Sequence, residues 1–524
     1  MALFSFLPSF PLLVDIDFHQ WKKQILPAIF SKPDIDNNEC LAQAWNTVSG
    51  GMPETKKTFI DRMHPLNFLA PKFGSKQDKM GKDIAQCSYS TKQQTNGNIR
   101  GSIHDLSSQN PFSINPNYIK RERTSLSIVC LSVRSALDLF LQAVALPEGS
   151  EILIGAINIP DIVTIIEKHH LVPVPVDIEI DTLAIKLDEL PRLLTTKTRA
   201  ILVAHLFGAI NSLNAIIHFA KMKKLLVIED CAECFSGSEY SGHPQSDMVA
   251  FSFGVIKTNT ACGGAIANIK DNTIAEKMTK IQAEYPQMPI TKYLWKLTIG
   301  LLACFVQSRI ATKLFLFGNL KLGIDYKPCF LRLIRGFNTT EKSLQKFRYR
   351  PNPLLEKILR IRLENWDMKP FQKQMRQLRV FTDKIRKANV VVPGHAATYR
   401  NFWLYPVLAA KGSSSKDTVL KFQELGIDAA VSSSQISLIM PPKSFPIAAN
   451  AHKLMEKILY LPVHRRSTVH QMVCVVESCR RVYEEIPSFI SEKAIISKTD
   501  VQQQVIASAE PSQFLNTSEE ILPN

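Results

Sequence analysis

The sequence predicts an α/β fold in which a mostly parallel sheet lies between helices, followed by a smaller α+β domain. Between residues 121 and 285, short apolar runs alternate with helical segments, as in the strand-like RAILVAHLFG (199–208) and the amphipathic SLNAIIHFAKMKK (212–224). Alternation on this scale is typical of βαβ units and a parallel sheet. Beyond residue 350 long polar helical stretches dominate, which indicates a different architecture for the C-terminal part.

The spacing of apolar residues predicts the elements in chain order. In the first part these are a helix over 135–145, a strand over 151–157, a helix over 161–170, a strand over 172–178, a short helix over 187–194, and strands over 199–208, 225–233 and 248–254 around a helix over 212–224. In the second part they are one long polar helix over 353–388, a strand over 401–410 and helices over 415–426 and 466–484.

Changes of composition along the 524 residues predict five stretches. They are an N-terminal extension (1–120), partly flexible because 70–118 is polar and unpatterned, a large domain (121–285), a basic apolar helical insert (286–350), a small C-terminal domain (351–485) and a mobile tail (486–524).

Composition excludes several classes of protein. Hydrophobic residues make up 45% of the chain, which rules out wholesale disorder. Ten irregularly spaced cysteines indicate reduced thiols in a cytoplasmic protein rather than a disulfide framework. The apolar start lacks a basic region and the longest apolar runs stay below about 18 residues, so neither a signal peptide nor a spanning helix is expected. The net charge of +16 is dispersed and lacks an aromatic platform, so nucleic acid is not an expected partner.

The stretch 290–336 concentrates part of that charge, because it holds eight basic residues and a single acid, Asp325. Two interpretations stay open. One is a helical insert packed on the protein with solvated lysines. The other is an in-plane helix that makes peripheral contact with a membrane through apolar burial and attraction to anionic lipid.

Two strand-end motifs carry the predicted chemistry. The first is VIEDCAE (227–233), and the second is SFGVIK (252–257), which is followed by GGA (263–265). Lys257 has mostly small or apolar neighbours, which desolvate its ammonium group and make a nucleophilic amine available. An acid on the adjoining strand end can hold a cationic ring nitrogen. This pairing of acid and lysine is what pyridoxal 5′-phosphate requires.

These motifs resemble those of the DegT/StrS-type (DegT/DnrJ/EryC/StrS) sugar aminotransferases, which are fold-type-I pyridoxal-phosphate enzymes. The resemblance is close over about 125–285 and loose over 353–485. It implies that Lys257 forms the internal aldimine, that Asp230 binds the pyridine nitrogen and that Ser252 contacts the phosphate. Arg134 and Ser135 lie where the family has a turn that opens a helix. They are further phosphate candidates, since helix N-termini favour anions.

The same resemblance implies an activity and partners. Lys257 and Asp230 would be catalytic in an aminotransferase that moves an amino group from a donor, glutamate, to a keto sugar that is nucleotide-linked. Fold-type-I enzymes generally build the site between two subunits, so a homodimer is implied. A metal is not expected.

Several positions depart from the family pattern. Glu233 replaces the usual Gln near the phenolic oxygen of the cofactor, where a carboxylate repels that oxygen unless it is protonated. Ile159 stands where an aromatic residue stacks on the ring, and an aliphatic side chain packs there with less stacking energy. Val133 replaces the Gly of the phosphate turn. The family's partner-subunit motif is not found, and the 286–350 stretch lies in its place.

The candidate site residues also have simpler, structural interpretations. Lys257 alone would be a solvated loop lysine, and Asp230 would cap the next helix. Cys231 and Cys234 have a CxxC spacing that fits zinc or redox chemistry, but buried packing is favoured because a second such pair at metal-site spacing is missing. His205 is expected in the core. Two rival functions also stay open: a pyridoxal-phosphate enzyme of another reaction type, such as a dehydratase, and a non-catalytic cofactor-binding scaffold.

Overall fold

The computed structural model describes residues 21–30, 126–306, 344–431 and 436–484. They all belong to one compact unit, Met1–Gly51 together with Ile114–Asn524, whereas a second unit, Met52–Ser113, lies outside the described residues. The predicted tail, most of the predicted extension and part of the predicted insert also lie outside them. The five-part division of the chain stays a prediction.

Thirteen strands are present in the described part of the chain. They are β1 (Leu126–Cys130), β2 (Glu151–Gly155), β3 (Ile157–Asn158), β4 (Val172–Val176), β5 (Thr198–Ala204), β6 (Ala209–Ile210), β7 (Leu226–Cys231), β8 (Met248–Ser252), β9 (Ala265–Ile269), β10 (Tyr399–Arg400), β11 (Pro406–Leu408), β12 (Ser437–Leu438) and β13 (Ile458–Tyr460).

Twelve α-helices accompany them in the same residues. They are α1 (Leu26–Phe30), which follows a π-helical turn at Trp21–Ile25, α2 (Val133–Val144), α3 (Pro160–Lys168), α4 (Leu190–Leu193), α5 (Asn214–Lys223), α6 (Asn272–Ala283), α7 (Ile290–Val306), α8 (Pro353–Glu364), α9 (Met368–Arg386), α10 (Ser415–Glu424), α11 (Ala449–Lys457) and α12 (Val469–Tyr483).

Seven strands form the central sheet in the order β1-β9-β8-β7-β5-β2-β4. The pairs β8·β7, β7·β5, β5·β2 and β2·β4 are parallel, and β9 runs antiparallel to both β1 and β8. Apolar clusters cover both faces: Ile228 of β7 packs in the cluster with α2 and α3, and Val227 packs in the cluster with α5. The predicted α/β class and the mostly parallel sheet are confirmed. Parallel strands with both faces covered are continuously apolar, which is the pattern that the sequence shows.

The long helix predicted over 353–388 is wrong, because the chain breaks between α8 and α9. Asp367 caps α9 by accepting a hydrogen bond from Lys369 N at 3.0 Å. Pro370 in the first turn of α9 has no N–H to continue a helix from α8. Trp366, at the break, packs edge-on against Phe235 with ring centroids 5.1 Å apart. Trp366 is half-buried, and its ring contact and the new cap stabilise the chain at this break.

The strand predicted over 401–410 is also largely wrong, because only Pro406–Leu408 is a strand there. Phe402 has a φ of 50°, which is incompatible with an extended strand. Asn401 instead bonds across to the motif after β7: its Nδ2 donates to Glu233 O at 2.7 Å, and its N donates to Gly208 O at 2.9 Å. Gly208 has a φ of 80°, and a Cβ at this position would collide with Asn401 Oδ1. The glycine therefore lets the 399–403 segment approach the sheet edge.

A hydrogen-bonded triad of Asp138, His169 and Arg348, with Asp138 fully buried, connects the residues after 343 to α2. Asp138, on α2, accepts two hydrogen bonds from Arg348, at 2.9 Å from Nε and 3.0 Å from Nη2, and Asp138 Oδ1 lies 2.9 Å from His169 Nε2. Although burial raises the pKa of Asp138, His169 and Arg348 hold it below its usual value. His169 lies at the C-terminus of α3 and has Asp138 as a specific partner.

Arg400 is a buried cation whose guanidinium nitrogens have no hydrogen-bond acceptor among the described residues. The group lies 5.0 Å from the ring centroid of Phe402 and 5.3 Å from that of Tyr405, and burial lowers its pKa to about 10. Since an unpaired buried charge is costly, Arg400→Met is expected to raise the free energy of unfolding by on the order of 1–3 kcal/mol. Urea unfolding measures it, with exposed Arg386→Met as the control that changes little. A loss of stability in Arg400→Met would contradict the assignment.

Helix α7 begins the predicted insert and packs one face on the core through Tyr293 and Leu297, which are 0% and 1% exposed. Its other face presents Trp295 and Leu302 to solvent, at 61% and 51% exposure. In the described part of the chain, none of the helices combines the length and the apolar character needed to cross a membrane.

Candidate active site

The predicted site residues collect at the carboxyl ends of neighbouring strands, where α/β sheets bind their ligands. Asp230 is the penultimate residue of β7, Ser252 ends β8, and Lys257 follows on the loop after β8. Ala204, at the end of β5, is opposite Asp230 in the register. Strand β1 leads into α2, whose first turn carries Arg134 and Ser135. The topology therefore brings the sequence-distant motifs to one edge.

Lys257 is largely buried, with its side chain 16% exposed. Its Nζ lies 3.7 Å from Glu233 Oε1 and 3.8 Å from the ring centroid of Trp403, a cation–π arrangement. Trp403 is fixed in turn, because its Nε1 donates to Ile256 O at 3.0 Å. Burial lowers the pKa of Lys257, and the carboxylates of Glu233 and Asp230 oppose this. The solvated loop lysine is therefore not what the structure contains.

Asp230 accepts a hydrogen bond from Ala232 N at 2.9 Å. Its backbone places it on the same face of β7 as Ile228, towards α2, because side chains alternate along a strand. Burial raises the pKa of this carboxyl, and the positive charges of Lys257, His205 and Arg134 counteract the rise. An acid in this environment is suited to hold a protonated ring nitrogen.

Glu233 lies beside Lys257 rather than in solvent. Its Oε2 accepts a hydrogen bond from Phe207 N at 2.6 Å, and its Oε1 faces Lys257. Burial raises its pKa, although the charge on Lys257 and the N–H of Phe207 act in the opposite direction. The structure thus places this family departure in direct contact with the predicted nucleophile.

The first turn of α2 forms the predicted phosphate end of the site. Ser132 caps the helix by accepting from Ser135 N at 3.2 Å, and the two hydroxyls lie 3.1 Å apart. Arg134 forms an ion pair with Asp161 in the first turn of α3. Ile159 occupies the N-cap position of α3 without a side-chain capping bond, and it packs, half-buried, on the apolar cluster of α2 and α3. The N-termini of two helices therefore meet here, joined by one salt bridge.

Two buried polar atoms test whether these residues fit a cofactor. Thr258 Oγ1, directly after Lys257, and Asn158 Nδ2, directly before Ile159, have no hydrogen-bond partner within the described residues. Buried polar groups are nearly always paired, so each calls for a polar ligand. The amine, the acid at a strand end, the helix N-terminus and these two orphaned groups match the aldehyde, ring nitrogen, phosphate and phenolic oxygen of pyridoxal 5′-phosphate. The residues present fit this group.

Beneath Asp230, Glu229 is the centre of a fully buried hydrogen-bond network. Its Oε1 accepts from Tyr240 OH and lies 3.1 Å from His205 Nε2, and its Oε2 accepts from His243 N and from Ser246 Oγ, each at 2.9 Å. Burial raises the pKa of Glu229, but these donors together bring it to about 2. His205 therefore belongs to the core, as predicted.

His205, Glu229 and Cys231 place possible metal-ligand atoms within 4.8 Å of one another. A metal ion there would displace the donors that already saturate Glu229, including Cys231 Sγ at 3.5 Å from Oε1. Cys231 and Cys234 are both buried free thiols, and burial raises the pKa of each. Packing and hydrogen bonding account for both cysteines.

Sequence reasoning missed Trp403, Thr258, Asn158 and the donation of a hydrogen bond from Tyr240 to Glu229. Thr258 and Asn158 adjoin predicted site residues, so their position in the sequence was a usable signal. Trp403 lies in a stretch predicted as a strand, and no local pattern marks it as a neighbour of Lys257.

The sheet and the site together have the arrangement that the resemblance to fold-type-I pyridoxal-phosphate enzymes implies. Residues 118–301 match the profile of the DegT/DnrJ/EryC1/StrS aminotransferase family, to which this stretch of the chain is similar.

Two GDP-perosamine synthases are among the relatives. The protein from Escherichia coli O157:H7 is 30% identical over 168 residues, which cover 32% of this chain and 45% of that protein. The protein from Caulobacter vibrioides is 24% identical over 347 residues, which cover 64% of this chain and 80% of that protein. The matched stretch thus spans less than half the length of the Escherichia coli relative. A solved aminotransferase from Psychrobacter cryohalolentis has 19% identity, covers 68% of this chain and 86% of that one, and gives a TM-score of 0.49, so the fold assignment rests on the sheet topology itself.

Proposed function

We propose that this protein is a pyridoxal-phosphate-dependent aminotransferase acting on a nucleotide-linked keto sugar. The observation that carries the proposal is that a nearly buried Lys257, on the loop after β8, and Asp230, at the end of β7, lie at the same carboxyl edge of the sheet. Their placement matches the roles that the sequence motifs imply. The roles given below to the individual site residues are part of the same proposal.

The bound cofactor supplies a cationic ring that withdraws electrons from the substrate carbon. Asp230 keeps the ring nitrogen protonated. The Lys257 amine would move a proton between the substrate carbon and a cofactor carbon, and positioned proton transfer of this kind contributes about 10²–10⁴ in rate. Arg134 and Ser135 in the first turn of α2 bind the phosphate together with Ser252 at the end of β8. Ile159 packs on the ring.

The names of relatives support the substrate class. GDP-perosamine synthase is a name that two of them carry. A Shewanella sediminis relative, 29% identical over 153 residues that cover 39% of it, is named UDP-4-amino-4-deoxy-L-arabinose–oxoglutarate aminotransferase. Oxoglutarate in that name supports glutamate as the amino donor here. A homodimer, a cytoplasmic location and a place in polysaccharide biosynthesis complete the proposal.

The half-reaction with an amino donor tests it. The cofactor-loaded protein is mixed with glutamate, and oxoglutarate and the amine form of the cofactor are quantified. One equivalent of each per site is expected. Glutamate consumed without oxoglutarate would favour another reaction type, and no reaction with a broad panel of donors would favour a non-catalytic scaffold.

A peripheral membrane contact through 290–336 is a second proposal, supported by the exposed Trp295 and Leu302 on α7 and by the basic excess of the sequence there. Replacing both exposed residues by Ser is expected to reduce flotation with anionic vesicles by about tenfold or more, because each apolar side chain contributes roughly 1.5–3 kcal/mol when buried. Val391→Ser, at an exposed apolar residue elsewhere, is the control. Equal flotation of all three proteins would support the packed insert instead.

A further inference from the structure

We propose that Glu233 controls the protonation state of Lys257 and thereby sets the pH at which the chain captures its cofactor. The inference rests on the proposed function, since it assumes that Lys257 is the residue that binds pyridoxal phosphate. Glu233 stands where the family pattern has Gln, and the inference assigns a function to this difference.

The contact is specific because both groups are fixed. Phe207 N donates to Glu233 Oε2 at 2.6 Å, which leaves Oε1 directed at Lys257 Nζ, 3.7 Å away. On another side the ring of Trp403 lies 3.8 Å from the same Nζ and is held by Ile256 O. A carboxylate and an aromatic face both favour the ammonium over the neutral amine.

The pair is also shielded from water. The side chains of Lys257 and Glu233 are 16% and 15% exposed, so their attraction is screened less than that of a surface ion pair. The other ionisable groups with the largest effect on Lys257 are Asp230 and Cys234 from the β7 motif and Arg134 from α2. Asp230 favours the ammonium and Arg134 disfavours it, and neither is changed by a substitution at Glu233. Glu233 is therefore the group whose removal isolates the effect.

Capture consumes the neutral amine. Lys257 Nζ forms a C=N bond with the aldehyde carbon of pyridoxal phosphate, and the aldehyde oxygen leaves as water with the two amine protons. The ammonium first has to give one proton to solvent, and the carboxylate of Glu233 opposes this loss. Glu233→Gln keeps an oxygen for Phe207 N but removes the charge. The amine is then free at lower pH.

The test measures the rate at which the full chain, stripped of cofactor, is labelled by pyridoxal phosphate and cyanoborohydride as pH is varied, with the label mapped by mass spectrometry. Glu233→Gln is expected to lower the midpoint pH of Lys257 labelling by roughly one to three units. Trp403→Ala is expected to lower it by less, and Trp403→Phe, which retains an aromatic ring, to leave it nearly unchanged. Glu239→Gln, whose carboxylate bonds to Gln372 instead, is the matched control.

Acetic anhydride is a second probe that needs no cofactor site. If it modifies Lys257 with the same midpoint shift, the effect belongs to the amine itself. An unchanged or raised midpoint in Glu233→Gln would overturn the inference. If acetic anhydride labels Lys257 and pyridoxal phosphate does not at any pH, the proposed function fails instead.

Discussion

Replacing Lys257 by Ala is expected to abolish both covalent cofactor binding and amino transfer. The side chain supplies the nucleophile and the proton carrier, and the described residues offer no second amine in contact with Glu233 and Trp403. The combined loss should be roughly 10⁴-fold or more in the rate of the donor half-reaction.

Lys257→Arg is the informative companion, because it retains a positive charge for Glu233 and Asp230 but has no nucleophilic amine. Lys257→Ala leaves the shielded carboxylate of Glu233 without its cation, so Lys257→Arg is the variant expected to unfold at a denaturant concentration nearer that of the parent. Exogenous methylamine should restore part of the half-reaction to Lys257→Ala, since a free amine replaces the missing base. Retained turnover in Lys257→Ala would remove Lys257 from the mechanism.

The second large effect concerns Glu229, where Glu229→Gln is expected to cost about 3–5 kcal/mol of unfolding free energy. The amide would place donor hydrogens against either Tyr240 OH or Ser246 Oγ, which already donate to the carboxylate. It would also remove the charged acceptor from a fully buried network. Removing one charged partner from a buried, hydrogen-bonded network typically has this cost.

The stabilising contribution of Glu229 should also depend on pH. The pKa of Glu229 is about 2 in the folded chain, below its ordinary value of 4.5. Its stabilising contribution is therefore complete above pH 4.5 and is lost as the pH falls towards 2, by about 3 kcal/mol at roughly 1.4 kcal/mol per pKa unit. Urea unfolding between pH 2 and pH 5 measures this.

The difference between the parent and Glu229→Gln should shrink on acidification, and the exposed Glu148→Gln should follow the parent throughout. A constant difference across this pH range would contradict the assigned ionisation of Glu229.

The central sheet was predictable because its strands are short apolar runs bounded by polar or glycine residues, as in EILIG (151–155) and LVIEDC (226–231). The reversed strand β9 and the helix α6 were not predicted. AIANI (265–269) is short and follows Gly263-Gly264, which was interpreted only as a motif. The single helix over 353–388 failed because Asp367 and Pro370 were outweighed by the surrounding polar helical pattern.

The candidate site was predictable to the extent that its residues lie in contiguous motifs. Asp230, Glu233 and Lys257 are at strand ends, and the parallel sheet brings strand ends together. Trp403 approaches Lys257 through the non-local contact of Asn401 with Gly208 and Glu233, and nothing in the local sequence encodes that contact. The burial that shifts the pKa of Lys257 and Glu233 towards each other is likewise a product of the tertiary fold.

The most direct test of the central claim is borohydride reduction of the purified, pyridoxal-phosphate-loaded protein, followed by peptide mapping of the label. The account predicts one reduced pyridoxyl group per chain, located on Lys257, and an absorbance band that disappears on reduction. Label distributed over surface lysines, or located on another lysine with Lys257 unmodified, would contradict it.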